Sequence, residues 1–99
     1  MEITIQYFDG CPNWKAAREA VSRAAPEARI TLQTVETDED AQRLRFRGSP
    51  TILFEGTDPW ADPDAPFGLS CRVFQTATGL AGLPSEAQLV KALRQAAAG

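Results

Sequence analysis

The sequence predicts one α/β domain whose elements follow in the order βαβαββα. Two kinds of pattern predict it. Alternating or continuous apolar runs are typical of strands, and between them apolar residues recur with helical spacing. The chain has 99 residues, enough for one hydrophobic core and not for two. Strands that alternate with helices favour a layered α/β domain, here a single domain over residues 1–99.

The first half of the chain alternates strand and helix. In residues 2–8 and 30–36, β-branched or aromatic side chains alternate with polar ones, so both segments are predicted strands. The helical spacing between them follows Cys11, the expected N-cap, and Pro12, which suits the first position of a helix. Thr37 is expected to cap a short second helix whose acidic residues come first, as the helix dipole favours.

The second half contains two more predicted strands, a long loop and a last helix. Residues 51–54 form a continuous apolar strand, and residues 71–75 are the fourth predicted strand. Ser85 with Gln88 three residues later is a capping box at the start of the last helix. Residues 56–69 form an inserted loop rich in Pro and Asp, and loops of this length in small domains are often functional.

Composition excludes several classes of function. The net charge of −3 and the scattered basic residues argue against a nucleic-acid partner, which needs a clustered basic face. The absence of histidine removes Ser-His-Asp and Cys-His catalysis, and with two cysteines it removes a Cys/His zinc site, so no metal site is expected. No apolar stretch could span a membrane, and the chain opens on a strand without a leader pattern, which predicts a cytoplasmic protein. Thiols, carboxylates and the backbone remain as sources of chemistry.

Three segments in register resemble the thioredoxin-like superfamily. Residues 11–14 (Cys-Pro-Asn-Trp) follow a strand at a helix start, and residues 48–51 (Gly-Ser-Pro-Thr) are similar to the family's cis-proline stretch. Residues 82–85 (Gly-Leu-Pro-Ser) lead into the last helix as in the family. The resemblance spans nearly the whole chain. It implies a minimal, glutaredoxin-sized thioredoxin fold, with a four-stranded mixed sheet and helices on both faces.

The chain departs from the family at two positions that matter for redox chemistry. The family's second active-site cysteine falls on Trp14, and its buried carboxylate falls on Ile5. The resemblance therefore implies a monothiol protein in which the Cys11 thiolate, stabilised by the helix N-terminus, is the catalytic group. Cys11 would exchange with disulfides or oxidised low-molecular-weight thiols. An external thiol such as glutathione or mycothiol would then resolve the mixed disulfide.

Two groups of residues beside Cys11 are expected to bind substrate. They are Pro12, Asn13 and Trp14 on one side, and Ser49, Pro50 and Thr51 on the other. The resemblance implies a cis peptide bond before Pro50, which leaves the Ser49 backbone open to pair with an extended peptide or a glutathione-like thiol. Trp14 either covers Cys11 or stacks on a ligand, or it packs half-buried against the neighbouring loop.

Cys71 is interpreted as a buried structural thiol rather than a partner of Cys11. If residues 71–75 run antiparallel to the preceding strand, Cys71 lies at the far end of the sheet, about 15 Å from Cys11. A disulfide needs Cα atoms within about 7 Å. The closely spaced aspartates of the loop lack the Gly and distal Glu of a calcium-binding EF-hand. We expect residues 56–69 to form a flap whose aromatic side chains pack on the body of the domain.

Two alternatives to redox catalysis remain open. One is a non-catalytic binding module with a thioredoxin fold, and the other is thiol capture of a soft metal such as mercury. The expected partner is a thiol or disulfide substrate, either a small molecule or an extended peptide. No nucleic acid, membrane or cofactor beyond a low-molecular-weight thiol is expected, and the protein is predicted to be a monomer or weak dimer.

Overall fold

Strands and helices alternate along residues 1–98, which the computed structural model describes. The described part holds five strands and three helices, which are numbered in chain order. They are β1 (Glu2–Tyr7), α1 (Asn13–Ala24), β2 (Arg29–Thr34), α2 (Asp38–Leu44), β3 (Thr51–Phe54), β4 (Phe74–Thr76), β5 (Gly79–Ala81) and α3 (Glu86–Ala98).

A three-stranded mixed sheet with the order β2-β1-β3 forms the centre of the domain. β1 is parallel to β2, with Ile5 opposite Leu32, and antiparallel to β3, with Ile5 opposite Ile52. The parallel pair follows from the helical crossover α1, whereas β3 returns in the opposite direction. One edge of the sheet therefore gathers the ends of β1 and β2 and the beginning of β3.

The main core lies between this sheet and helices α1 and α3. Both helices contribute small or aliphatic side chains at helical spacing, which lets them pack closely on the branched residues of the strands. The buried members are Ile3, Ile5, Ala17, Val21, Ile52, Phe54, Leu89 and Ala92. This cluster fixes the strand register, because a one-residue slip would turn Ile3 and Ile5 out of it.

Helix α2 packs in a second, smaller cluster beyond the ends of β1 and β2. Val35, Ala41 and Phe46 are fully buried there, with Phe8 against them. The predicted cap is confirmed, since the Thr37 hydroxyl accepts a hydrogen bond of 3.0 Å from the Asp40 N–H.

The predicted four-stranded sheet is wrong in its fourth strand, although the mixed-sheet α/β class is confirmed. β4 begins at Phe74 rather than at Cys71, and it pairs with β5 in a separate antiparallel hairpin. Residues 70–72 instead run beside Ser49, so the chain reaches β4 late. The hairpin turns at Ala77 and Thr78, and Gly79, the first residue of β5, has a φ of 118°. This turn and β5 carry no strong strand pattern, and the sequence did not predict them.

The helix ends were predicted more accurately than the strands. Ser85 and Gln88 form the expected capping box, in which each backbone N–H donates to the other residue's side chain, at 2.8 and 3.2 Å. Helix α1 begins at Asn13 with Pro12 in the N-cap position, one residue later than predicted. No helix within residues 1–98 is both long enough and apolar enough to cross a membrane.

Candidate functional site: a cysteine pair at the sheet edge

Cys11 and Cys71 form a disulfide at the edge where β1 ends and β3 begins. Their Cα atoms are 5.7 Å apart, although 60 residues separate them in the chain. The interpretation of Cys71 as an unpaired structural thiol is therefore wrong. The distance argument assumed a strand from Cys71 onward, whereas β4 starts three residues later and leaves Cys71 at the same edge as Cys11.

The two cysteines differ in exposure, and the difference is the reverse of the expected one. Cys11 is 0% exposed, in the turn between β1 and α1, where its N–H donates to the Phe8 carbonyl at 3.2 Å. The Cys11 sulfur lies 3.5 Å from the Ser49 carbonyl oxygen. Cys71 is exposed to solvent. Of the two cysteines, Cys71 is therefore the residue that faces solvent.

Ser49 pairs on both sides of its backbone with the segment that carries Cys71. Its N–H donates to the Ser70 carbonyl and its carbonyl accepts from the Arg72 N–H, both at 2.8 Å. The peptide bond between Ser49 and Pro50 is cis, as the resemblance implied. Ser49, Pro50 and Thr51 are all buried, so this backbone edge is filled by the chain's own residues 70–72 rather than open.

Gly48 permits the close approach of residues 70–72. Its φ of 128° is a conformation that side-chain-bearing residues rarely adopt. A Cβ at this position would lie 3.1 Å from the Arg72 Cβ and 3.2 Å from the Ser70 carbonyl oxygen. The Thr51 hydroxyl donates to the Gly48 carbonyl at 2.7 Å and holds the turn into β3.

Arg72 anchors the segment to the loop that precedes it. Its guanidinium donates to both oxygens of Asp58, at 2.6 and 3.3 Å, and to the Trp60 carbonyl. It also lies over the Phe74 ring, 4.8 Å from the centroid. The side chains of Arg72 and Asp58 are only 9% and 14% exposed. No pattern in the sequence indicates Arg72 or Asp58, because an ion pair between residues 14 positions apart has no spacing signature.

The loop of residues 56–69 packs on the domain, as predicted. The Trp60 ring meets Phe54 and Phe74 edge to face, with centroids 5.9 and 5.7 Å apart. Arg47 lies over the Phe67 ring and donates to the Ala65 carbonyl at 3.0 Å. These contacts position Asp58 to receive Arg72, so the loop supports the cysteine segment.

The predicted binding residues on the α1 side are engaged within the protein. Trp14 is half-buried, as its packing interpretation predicts, but it stacks on Tyr7 of β1, with ring centroids 4.1 Å apart, rather than on the neighbouring loop. The side chain of Asn13 lies against Gly82, where any Cβ would overlap it. Pro12 is exposed next to the buried Cys11.

A cleft of about 280 Å³ opens beside Cys71. It lies between the loop and the cysteine segment, and its lining includes Arg47, Trp60, Asp62, Ser70, Cys71 and Val73. Its size is at the lower end of small-molecule sites, which run from about 300 to 1,000 Å³. The cleft therefore gives a small molecule access to Cys71.

Within residues 1–98, no cluster of three or more His, Cys, Asp or Glu side chains could hold a metal ion. Comparison of the chain with protein-family models, curated proteins and solved structures gives no match, so its function is inferred here from the cysteine pair and the backbone around it.

Proposed function

We propose that the chain is a thioredoxin-like thiol–disulfide redox protein in which Cys11 and Cys71 are the reacting pair. The observation that carries the proposal is that both cysteines meet beside Ser49, 60 residues apart in sequence and 5.7 Å apart between Cα atoms. The order β2-β1-β3, with a cysteine before α1 and the Ser49–Pro50 segment before β3, supports the family resemblance. Cys71 then supplies the second sulfur that the chain lacks at Trp14.

The reaction is a two-step exchange between the protein disulfide and two external thiols. A first thiolate attacks one sulfur of the pair, the Cys11–Cys71 bond breaks, and the other sulfur leaves as a thiolate that takes up a proton. A second external thiolate attacks the mixed disulfide and releases the external disulfide and the second protein thiol. Two external thiols are oxidised and the protein disulfide is reduced; in the reverse direction the protein thiols reduce a disulfide.

The proposal changes the monothiol scheme at one step. An external thiol such as glutathione or mycothiol remains the partner, but Cys71 resolves a mixed disulfide on Cys11 inside the protein, and Cys11 resolves one on Cys71. The proposed compartment is the cytoplasm, where disulfides are rare and, when present, are usually transient and catalytic or redox-sensing. No other cofactor is required.

Capture of a soft metal ion is a second candidate function, because the closeness of Cys11 and Cys71 supports it as well. After reduction, two thiolates at this distance offer the soft ligands that an ion such as mercury prefers. A stoichiometric titration, one ion for each cysteine pair and without turnover, separates this function from redox exchange.

The decisive experiment is a redox titration of the folded protein in glutathione buffers, followed by alkylation and mass spectrometry. We expect both cysteines to be reduced together in one reversible transition. We also expect the reduced protein to reduce a small disulfide catalytically with glutathione as the electron source. Cys11→Ser and Cys71→Ser should each lower this turnover by about 100-fold or more, whereas Ser22→Ala, an exposed change on α1, should not.

A non-catalytic binding module would behave differently. Its cysteines would be reduced without any turnover of a small disulfide. The two serine variants and the parent would then show the same absence of turnover. A pair that glutathione cannot reduce in the folded protein would also contradict the proposal.

A further inference from the structure

We propose that the partner thiol attacks Cys71 rather than Cys11, and that it is a small molecule rather than an extended peptide. This inference rests on the proposed function and specifies its substrate class. It follows from three properties of residues 70–72, here called the cysteine segment: where it lies, what holds it, and which of its atoms are accessible.

The cysteine segment occupies the position that an extended peptide would need. Both backbone hydrogen-bonding groups of Ser49 are already used, by Ser70 and Arg72. The same segment lies so close to Gly48 that a Cβ there would be 3.1 Å from the Arg72 Cβ, closer than an ordinary van der Waals contact. A peptide could pair with Ser49 only after the cysteine segment had been displaced.

The contacts that hold the cysteine segment do not depend on the disulfide. Arg72 forms a nearly buried ion pair with Asp58 and also donates to the Trp60 carbonyl. If the cysteine segment moved away, the Asp58 carboxylate would be left nearly buried without a partner, which is unfavourable. The segment therefore stays docked when the sulfur–sulfur bond opens. Arg72 is a positioning residue that keeps Cys71 beside Cys11 for re-oxidation.

Accessibility decides which sulfur is attacked. Cys11 is completely buried, whereas Cys71 is exposed and lines the cleft beside Arg47 and Val73. An incoming thiolate therefore bonds to the Cys71 sulfur, and the electron pair of the broken bond goes to Cys11. Cys11 directly precedes the N-cap of α1, so its thiolate departs near the positive end of the helix dipole, which favours negative charge. A second small thiolate then attacks the mixed disulfide on Cys71.

The test uses the unmodified oxidised protein with glutathione as the probe. The reaction is quenched with acid at early times, the free thiols are alkylated, and the peptides are mapped by mass spectrometry. We expect glutathione on Cys71 and the alkyl group on Cys11. Glutathione found mainly on Cys11 would overturn the inference and leave the proposed function standing. If no thiol opens the disulfide in the folded protein, the proposed function fails as well.

A second comparison tests the substrate class. A short extended peptide with one central cysteine, matched to glutathione in thiol pKa, should reduce the protein at least about tenfold more slowly than glutathione, because the cysteine segment already occupies the Ser49 backbone that the peptide would pair with. Arg72→Gln combined with Asp58→Asn removes the ion pair without leaving a lone charge, and it should narrow this difference. Arg18→Gln, an exposed change on α1, should not. Equal rates for the peptide and glutathione in the unmodified protein would overturn the small-molecule assignment whatever the variants do.

Discussion

The backbone of Ser49 makes hydrogen bonds on both sides, whereas its side-chain hydroxyl makes none within the described part of the chain. Its N–H and carbonyl both pair with the cysteine segment. Its hydroxyl is buried, with no hydrogen-bond partner among residues 1–98. A buried polar group without a partner costs about 1–3 kcal/mol.

Ser49→Ala should therefore leave the oxidised protein equally stable or stabilise it by about 1 kcal/mol, because it removes a desolvated hydroxyl and keeps the backbone pairs. Urea unfolding of the two oxidised proteins measures the difference. A loss of more than about 1 kcal/mol would mean that the hydroxyl makes a hydrogen bond that stabilises the fold.

Gly48→Ala should destabilise the protein by about 2–3 kcal/mol, since it combines an unfavourable φ with crowding against the cysteine segment. Gly56→Ala is the matched control. Gly56 also has a positive φ, 84°, but a Cβ there would have no neighbour within 4 Å. The amount by which Gly48→Ala lowers the free energy of unfolding more than Gly56→Ala does measures the crowding against residues 70–72. Equal losses would contradict the close approach described here.

At the scale of one element, helix α2 combines a cap, an acidic first turn and an ion pair. Asp38, Glu39 and Asp40 lie where the helix dipole favours negative charge. The Arg43 guanidinium donates to the Asp40 carboxylate at 3.1 Å. This hydrogen bond from Arg43 is the largest cause that lowers the pKa of Asp40 below its ordinary value.

A lowered pKa in the folded state means that the Asp40 carboxylate contributes stability above the ordinary pKa of an aspartate. That contribution is lost as the pH falls through the folded pKa. Arg43→Gln should move the pKa of Asp40 back up toward its ordinary value. An NMR titration of the Asp40 carboxyl in both proteins checks this, and an unchanged pKa would show that Arg43 is not the cause.

At the scale of the whole molecule, the disulfide joins the turn before α1 to the segment before β4. It closes a loop of about 60 residues, which contains α1, β2, α2 and β3. The main core does not include either cysteine, because its members come from β1, β3, α1 and α3. We therefore expect the fold to form without the bond, which acts by constraining the unfolded chain.

Reduction should lower the free energy of unfolding by about 4 kcal/mol, the value that the chain-entropy model gives for a loop of this length. Urea unfolding of the oxidised protein, the reduced protein and Cys71→Ser measures it, and the last two should agree within about 1 kcal/mol. The reduced protein should keep its native circular dichroism. If the oxidised and reduced proteins unfold at the same urea concentration, Cys11 and Cys71 do not form the disulfide in solution.

The sequence by itself determined the features that depend on neighbours within a few residues. The strand at residues 51–54, the Thr37 cap and the Ser85–Gln88 capping box lie where they were predicted. Each depends on a hydrogen bond or a packing pattern that repeats over two to four positions, so the residues concerned are adjacent in the sequence.

Only the tertiary structure decided the partner of Cys11 and the order of the last strands. Both depend on the path of residues 56–73, which is set by the ion pair of Arg72 with Asp58 and by the packing of Trp60 on two distant phenylalanines. These contacts join residues that the sequence keeps apart, and no local pattern encodes such a path. The fourth strand begins three residues later than predicted and belongs to a separate hairpin, and residues 70–72 pair with Ser49 instead, so Cys71 lies beside Cys11 rather than at the far end of the sheet.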